Sequence, residues 1–326
     1  MPLPSTQHKF PWHHDITPLM LAPMQGLTNR GLRDLFATWV RPDTLFTEFM
    51  RVAPGETGKR LSATDLREMT SEERGIPLVV QLIGHGSEAL VQAARIAQQN
   101  GAIHINLNLG CPFGRMTTGL TGGGILQKPE LLQELIPALR AAISGSFSVK
   151  TRTGYADPRQ IFSLLPLFAS SGVDFLVLHP RTVVQEYKGQ ADHAITARVV
   201  QETGIPVIAN GDVRTVSTGL QVLEQTGAAG LMLGRGAIAD PLLFTRLRSG
   251  ITSEPSRMEQ AEMLHYYLTE LLGRYQALFC GEQQILGKVK SVFACMEYPA
   301  FTRQIKGLQK ATSISRFTSL LETLGD

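Results

Sequence analysis

The chain alternates short apolar runs with amphipathic segments, and it does so eight times in succession. The apolar runs occupy residues 19–22, 44–47, 78–82, 103–107, 148–151, 175–178, 206–209 and 230–233. The segments between them, such as 88–99, 130–143, 160–170 and 216–225, carry apolar residues at helical spacing. Eight strand–helix units in a row favour a closed parallel barrel over an open doubly wound sheet. We therefore predict an α/β fold, a (β/α)8 TIM barrel.

The pattern changes after residue 248. Residues 249–255 are polar and rich in Ser, Gly and Pro, which is typical of a linker. The remainder predicts helices at 258–274 and 283–295, followed by two shorter helical segments and no strands. We therefore predict two domains, a catalytic barrel at 1–248 and an all-helical domain at 249–326.

Composition limits the possible classes of protein. Hydrophobic residues make up 43% of the 326 and charged residues 18%, which fits a globular protein with a sizeable core. No apolar run approaches the roughly 20 residues that span a bilayer, and the N-terminus lacks a signal-peptide pattern. The three cysteines, at 111, 280 and 295, lack C-x-x-C spacing, which argues against a disulfide framework or structural zinc. We expect a cytoplasmic monomer without a membrane, metal or protein partner.

In a TIM barrel the chemistry takes place at the C-terminal ends of the strands. Cys111 follows the predicted strand 103–107 across Gly110, and a triple glycine lies at 122–124. Most single cysteines are small buried hydrophobic residues. The position of Cys111 just past a strand end favours a catalytic thiol instead.

Other strand ends carry polar or glycine residues. These are Pro23 and Met24 after the first strand, Gln81 in the third, Lys150 and Arg152 at the fifth, His179 and Arg181 after the sixth, Asn210, Gly211 and Asp212 after the seventh, and Gly234 and Arg235 after the eighth. A lysine on a buried strand is costly unless it meets an anion. TIM barrels commonly bind a phosphate after strands seven and eight. Each signal is modest alone, but together they predict a ligand that carries a phosphate.

The helical segment is locally basic, although the whole chain has a net charge of only +3. Between residues 287 and 316 the basic residues are Lys288, Lys290, Arg303, Lys306, Lys310 and Arg316, against Glu297 alone. Phe293, Tyr298 and Phe301 lie among them. A solvated helix face is the commoner explanation of such a pattern. Because the segment is joined to a barrel with a predicted ligand pocket, we interpret it as an RNA-docking surface.

The ordered set of motifs resembles the dihydrouridine synthase family, flavoenzymes that reduce uridine to dihydrouridine in tRNA. The motifs are Leu-Ala-Pro-Met-Gln-Gly at 21–26, Thr-Glu-Phe-Met-Arg-Val at 47–52, Val-Gln-Leu-Ile-Gly at 80–84, Asn-Leu-Asn-Leu-Gly-Cys-Pro at 106–112, Val-Lys-Thr-Arg-Thr-Gly at 149–154, His-Pro-Arg-Thr at 179–182, Ile-Ala-Asn-Gly-Asp at 208–212 and Leu-Gly-Arg-Gly-Ala at 233–237. The motif at 47–52 is most similar to the bacterial C-type branch, whose members modify position 16 of the D-loop. Asn106 and the bulky Phe113 depart from the family pattern.

The resemblance implies a role for each matching residue. FMN would be bound by Pro23, Met24, Gln81, Lys150, His179, Asn210, Gly211, Asp212, Gly234 and Arg235. The tRNA would be bound by Asn108, Arg152, Arg181 and Tyr187, and the basic segment adds Lys288 and Lys290 as candidate tRNA contacts. Reduced FMN would give a hydride to uracil C6, and Cys111 would give a proton to C5 as general acid. The assignment of NADPH as the reductant also rests on the resemblance, because the chain has no Gly-x-Gly-x-x-Gly fingerprint.

Two other functions remain open at this point. The first is a free-pyrimidine FMN oxidoreductase of the dihydroorotate dehydrogenase type, which would need no basic helical segment. The second is a non-catalytic RNA-binding protein built on an inherited barrel, which would bind no flavin.

Overall fold

The computed structural model describes residues 10–52, 60–69, 75–112 and 119–324. The strands are β1 (Leu19–Leu21), β2 (Leu45–Phe46), β3 (Met50–Arg51), β4 (Leu78–Ile83), β5 (His104–Leu109), β6 (Ser146–Arg152), β7 (Phe175–His179), β8 (Val207–Asn210) and β9 (Gly230–Leu233). The α-helices are α1 (Arg30–Trp39), α2 (Ala63–Met69), α3 (Ser87–Gln99), α4 (Leu132–Ala142), α5 (Gln160–Ser170), α6 (His193–Glu202), α7 (Val216–Thr226), α8 (Arg235–Ala239), α9 (Leu243–Ser249), α10 (Arg257–Leu278), α11 (Glu282–Lys290), α12 (Thr302–Lys310) and α13 (Ile314–Leu321). Short 3-10 helices lie at Gly122–Gln127, Pro129–Leu131, Ser291–Cys295 and Pro299–Phe301.

The strands form a parallel barrel in the order β1-β9-β8-β7-β6-β5-β4-β2. The barrel closes between its first two strands, where Met20 pairs with Thr44 and the Leu21 N–H donates to the Thr44 carbonyl at 3.1 Å. The predicted eight-stranded TIM barrel is therefore confirmed. Strand β3, which pairs with β4, was not predicted because its two residues are too few to show a periodicity.

Alternation along each strand sorts the side chains between two environments. On β5, Ile105 and Leu107 belong to the hydrophobic cluster that includes α3 and α4 residues. The residue between them, Asn106, hydrogen bonds to side chains of the neighbouring strands β4 and β6. A separate apolar cluster, formed by Trp12, Met20, Ala22, Phe46, Val79, Phe175, Val177, Ile208 and Met232, fills the rest of the barrel interior. The polar residues of the site therefore sit above an apolar floor.

The C-terminal helices pack directly on the barrel. Helix α10 approaches α1 so closely that a Cβ on Gly31 would lie 2.7 Å from Leu278 Cδ1. Arg274 Nε donates to Asp34 Oδ2 at 2.9 Å across the same contact. One hydrophobic cluster runs from β1 and α1 through α10 to α13. The barrel and the helical segment therefore share a core.

The helical segment agrees broadly with the predicted helices. The predicted helix 258–274 corresponds to α10, whereas 283–295 divides into α11 and the 3-10 helix Ser291–Cys295. The predicted linker corresponds to the stretch between α9 and α10. Across the described ranges, each helix is either too short or too polar to cross a membrane.

His104, at the start of β5, makes stability depend on pH. Its Nδ1 lies 2.7 Å from Ser146 Oγ, and burial lowers the pKa of the imidazole to about 4, with Asp174 opposing the shift. The unfolded chain binds this proton with a pKa near 6.5, so the contribution of His104 is fully present above that pH and is lost as the pH falls toward 4. We expect His104→Gln to remove about 2 kcal/mol of the stability lost between pH 7.5 and pH 5. Urea unfolding at both pH values measures this difference.

The exposed His14→Gln variant is the matched control. A His104→Gln protein that loses as much stability on acidification as the wild type would contradict the assignment.

Candidate active site

A cavity of about 390 Å³ opens at the C-terminal ends of the barrel strands. The predicted site residues that line it are Pro23, Met24, Asn108, Cys111, Lys150, Arg152, His179, Tyr187, Asn210, Gly211, Asp212, Gly234 and Arg235. These residues come from seven separate stretches of the sequence and meet because parallel strands end at one rim. Gln81, Arg181, Lys288 and Lys290 lie outside this lining.

Asn108 fixes the loop that carries Cys111. Its Oδ1 accepts hydrogen bonds from the Gly110 and Cys111 N–H groups, both at 3.0 Å. Its Nδ2 donates to Gln81 Oε1 at 2.8 Å. Asn108, predicted to bind uracil, therefore also sets the direction in which the chain leaves β5 toward the thiol.

Gln81 is fully buried beneath the cavity and belongs to a ladder of side chains across three strands. Gln81 Nε2 donates to Asn106 Oδ1, and Asn106 Nδ2 donates to Ser148 Oγ, each at 2.8 Å. Both ends of the Gln81 amide are hydrogen bonded to side chains of β5. The contact of Gln81 with a cofactor remains a prediction. The ladder also gives Asn106 a structural role.

The triple glycine supports the Cys111 loop from one side. The Gly123 N–H donates to the Cys111 carbonyl at 3.0 Å, and a Cβ on Gly123 would lie 2.8 Å from that oxygen and 2.6 Å from Val183 Cγ2. Gly122 to Gly124 are buried at the start of the 3-10 helix Gly122–Gln127. Phe113 lies outside the described residues.

Lys150 meets Asn210 at one side of the cavity. Lys150 Nζ donates to Asn210 Oδ1 at 2.9 Å, and Asn210 Nδ2 donates to the Met232 carbonyl at 2.8 Å. Burial, followed by the charge of Arg152, lowers the pKa of the Lys150 amine to about 7. The group can therefore gain or lose a proton near neutral pH, and a bound anion would favour its charged form.

His179 is a neutral hydrogen-bonding group. Burial, helped by nearby cations that include Lys150, holds its pKa well below the usual value. Arg181 Nη1 lies 3.1 Å from His179 Nε2, and because arginine only donates, this nitrogen accepts and Nδ1 carries the hydrogen.

Asp212 binds two arginines where the loops after β8 and β9 meet. Its Oδ2 lies 2.5 Å from Arg181 Nη2, and its Oδ1 lies 3.4 Å from Arg235 Nη2. Burial raises the pKa of this carboxyl, but the hydrogen bonds and charge of Arg181 outweigh burial and lower it overall. Arg181 is itself buried, and it also donates to the Gly189 carbonyl at 2.6 Å.

Tyr187 lies at the rim between two guanidinium groups. Arg152 Cζ is 5.3 Å and Arg235 Cζ is 4.7 Å from its ring centroid. Arg152 Nη1 also donates to the Thr182 carbonyl at 2.8 Å, and its Nε donates to the Gly110 carbonyl at 3.0 Å. Arg152 therefore ties the Cys111 loop to the loop after β7, while Tyr187 stays exposed at the cavity mouth.

The basic segment differs in detail from the expected RNA surface. Phe293 and Phe301 are buried in the core, and the Tyr298 hydroxyl donates to the Ala239 carbonyl at 2.9 Å. Lys290 Nζ donates to the Ala311 carbonyl, whereas Lys288 Nζ lies 5.6 Å from the Phe279 ring. The basic side chains that are exposed are Arg303, Lys306, Lys310 and Arg316.

The cavity is also lined by residues that were not assigned to the site from the sequence, among them Phe49, Arg214, Ala294 and Cys295. Phe49 lies within the 47–52 motif, and Arg214 follows Asp212 by two positions, so both had a local signal. Ala294 and Cys295 come from the helical segment. The sequence gives no sign that this segment reaches the barrel rim.

Comparison with known proteins identifies the family. The sequence model of the dihydrouridine synthase family matches residues 20–314. The chain belongs to this family. It is 34% identical over 262 residues to the tRNA-dihydrouridine(16) synthase of Cupriavidus necator, covering 78% of this chain and 80% of that protein. It is 33% identical over 266 residues to tRNA-dihydrouridine synthase B of Vibrio parahaemolyticus, covering 79% of this chain and 81% of that protein.

A solved structure shares the fold of this family member. Morphinone reductase superposes with a TM-score of 0.52 at 13% identity, covering 73% of this chain and 87% of that chain. This similarity concerns the barrel architecture. The predicted family resemblance is thus confirmed, and the C-type branch stays a prediction.

The ladder predicts the effect of removing Gln81. In Gln81→Leu, the buried amides of Asn106 and Asn108 each lose a partner, so we expect the free energy of unfolding to fall by about 1–3 kcal/mol. Urea denaturation measures this change. Gln99→Leu, at an exposed position of α3, is the control. Equal stability of the Gln81→Leu protein and the wild type would show that the ladder does not contribute to the free energy of unfolding.

Proposed function

We propose that this protein reduces the C5–C6 double bond of a uridine in the tRNA D-loop, at position 16, with FMN as cofactor and NADPH as reductant. The observation that carries the proposal is the family match over residues 20–314. The matched residues form a strand-end cavity that is lined in part by Cys111. The target position follows from the motif at 47–52 and from relatives named for position 16, such as that of Cupriavidus necator.

The residues present fit a flavin mononucleotide. Ala22, Met24 and Met232 give the cavity an apolar side suited to a flat ring, and Lys150 offers a cation to its polar edge. The other end is lined by glycines. A Cβ on Gly211 would lie 2.9 Å from His179 Cδ2, so a side chain there would fill the space between the two loops.

FMN would then be held at two ends. Pro23, Met24, Lys150, His179 and Asn210 would contact the ring. Gly211, Gly234 and Arg235 would hold the phosphate, with Asp212 positioning Arg235. Gln81 would act from below through Asn108.

The chain itself supplies the proton and the geometry of the reaction. A bound reduced flavin would supply the hydride that uracil C6 receives. The Cys111 thiol then gives its proton to C5, so the base gains two hydrogens and the double bond becomes single. Asn108 orients Cys111 through the Gly110 and Cys111 N–H groups. Tyr187, which is exposed at the cavity mouth, would contact the RNA that enters.

A uridine inside folded RNA must leave its stack to reach this cavity. We assign catalysis to the barrel, residues 1–248, and a large part of tRNA binding to the helical segment, residues 249–326. The exposed basic side chains of α12 and α13, together with Lys288 of α11, would bind RNA phosphates. This activity would take place in the cytoplasm, without a protein partner.

Replacing Cys111 tests the proton donor. In Cys111→Ala we expect dihydrouridine formation to fall by about 100-fold or more, because general acid catalysis is lost. FMN binding and tRNA binding should stay unchanged. Nucleoside mass spectrometry of tRNA, with flavin and tRNA titrations, measures all three. Cys280→Ala, at an exposed position, is the control, and full turnover by Cys111→Ala would exclude the assignment.

Lys288 tests the RNA surface. Lys288→Ala should weaken tRNA binding and lower the slope of log affinity against log salt concentration by about 1, because one phosphate contact is lost. Titrations at several salt concentrations give this slope. Arg95→Ala, at an exposed position of α3 on the barrel exterior, should leave the slope unchanged. An unchanged slope for Lys288→Ala would place the RNA elsewhere.

The choice of substrate separates the proposed reaction from the alternatives. A dihydroorotate dehydrogenase-type enzyme would turn over a free pyrimidine without tRNA. A non-catalytic RNA-binding protein would stay colourless after FMN is added. Because the helical segment shares a core with the barrel, comparing substrates on the full chain is sounder than deleting residues 249–326. Mapping dihydrouridine in total RNA with and without the gene identifies the position.

A further inference from the structure

The predicted residues alone give the phosphate end of the cavity less positive charge than a phosphate needs. Arg181 and Arg235 both pair with Asp212, so these three side chains together carry one net positive charge. Arg181 is buried and engaged with the Gly189 carbonyl as well. A phosphate monoester carries about −1.5 to −2 at neutral pH. A further cation would be needed to balance it.

Arg214 is held at this end by a close contact between two loops. A Cβ on Gly236 would lie 2.2 Å from the Val213 carbonyl oxygen and 3.0 Å from Arg214 Cα. Glycine at 236 therefore brings the chain after β8 against the start of α8. As a result Arg214 lines the cavity together with Gly211 and Arg235.

The side chain of Arg214 has a weak partner. Its Nη1 lies 3.2 Å from Glu297 Oε1, and the two side chains are 37% and 77% exposed. Ion pairs exposed to this degree contribute little to stability because water competes for both groups. A phosphate dianion in the cavity would be a stronger partner for the guanidinium, which can form two parallel hydrogen bonds to it.

The helical segment contributes to the same end of the cavity. Ala294 and Cys295 line the cavity, and the Cys295 thiol lies within the electrostatic influence of Arg235 and Arg214. Glu297 follows Cys295 by two positions. The site described for the barrel is therefore completed by residues from outside the barrel.

We propose that Arg214 is a second phosphate-binding cation of the cofactor site, and that it exchanges Glu297 for the cofactor phosphate when the cofactor binds. This assignment rests on the proposed function, since it requires a flavin with a phosphate. It makes the junction between the barrel and the helical segment part of the cofactor site.

The test compares FMN with riboflavin, which lacks the phosphate, on the full-length apoprotein. Flavin fluorescence gives the affinity of each ligand for the wild type, Arg214→Gln, Arg214→Lys and Glu297→Gln. We expect Arg214→Gln to weaken FMN binding at least about tenfold and to change riboflavin binding less than about twofold. Arg214→Lys should retain part of the FMN affinity, because it keeps the charge but loses the fork geometry.

Glu297→Gln is the matched control, because it breaks the same ion pair and leaves the cation. We expect it to bind FMN as tightly as the wild type or more tightly. Equal weakening of FMN and riboflavin by Arg214→Gln, or the same FMN loss in Glu297→Gln, would overturn the Arg214 assignment and leave the proposed function standing. Wild-type protein that binds neither flavin would overturn the proposed function, and the assignment with it.

Discussion

Three buried amide side chains, Gln81, Asn106 and Asn108, connect the strands beneath the cavity through hydrogen bonds of 2.8 Å. Buried amides are costly when unpaired, so each fixes the orientation of the next. The last of them, Asn108, holds the Gly110 and Cys111 N–H groups and so sets where the thiol lies. The position of the proposed acid depends on this ladder, which in turn depends on the register of β4, β5 and β6.

The two ends of the cavity use charge in different ways. At one end Lys150 is partly buried, and its pKa near 7 means that it can respond to an anionic ligand. At the other end Asp212 orders Arg181 and Arg235 and reduces the positive charge available to a phosphate. The loops there approach closely because glycine stands at 211 and 236. This arrangement fits a ligand with a planar ring at one end and a phosphate at the other.

The helical segment contributes both to the hydrophobic core and to the cavity. It shares a hydrophobic core with α1, and its 3-10 helix Ser291–Cys295 reaches the cavity rim. A basic pattern in the sequence suggested the contact with RNA but gave no sign of this second contact. Phe293 and Phe301, which lie among its basic residues in the sequence, are buried in the core.

The sequence by itself determined the barrel, the helical segment and most of the residues at the rim. Each of these follows from a local signal, since strand and helix periodicities extend over a few residues and strand ends must meet in a closed barrel. The tertiary structure decided which of those residues face the cavity. Gln81 and Arg181 point to partners within the protein, while Arg214 and Cys295 enter the lining. These differences depend on contacts between residues far apart in the chain, such as Gln81 with Asn108 and Arg214 with Glu297, which no local pattern encodes.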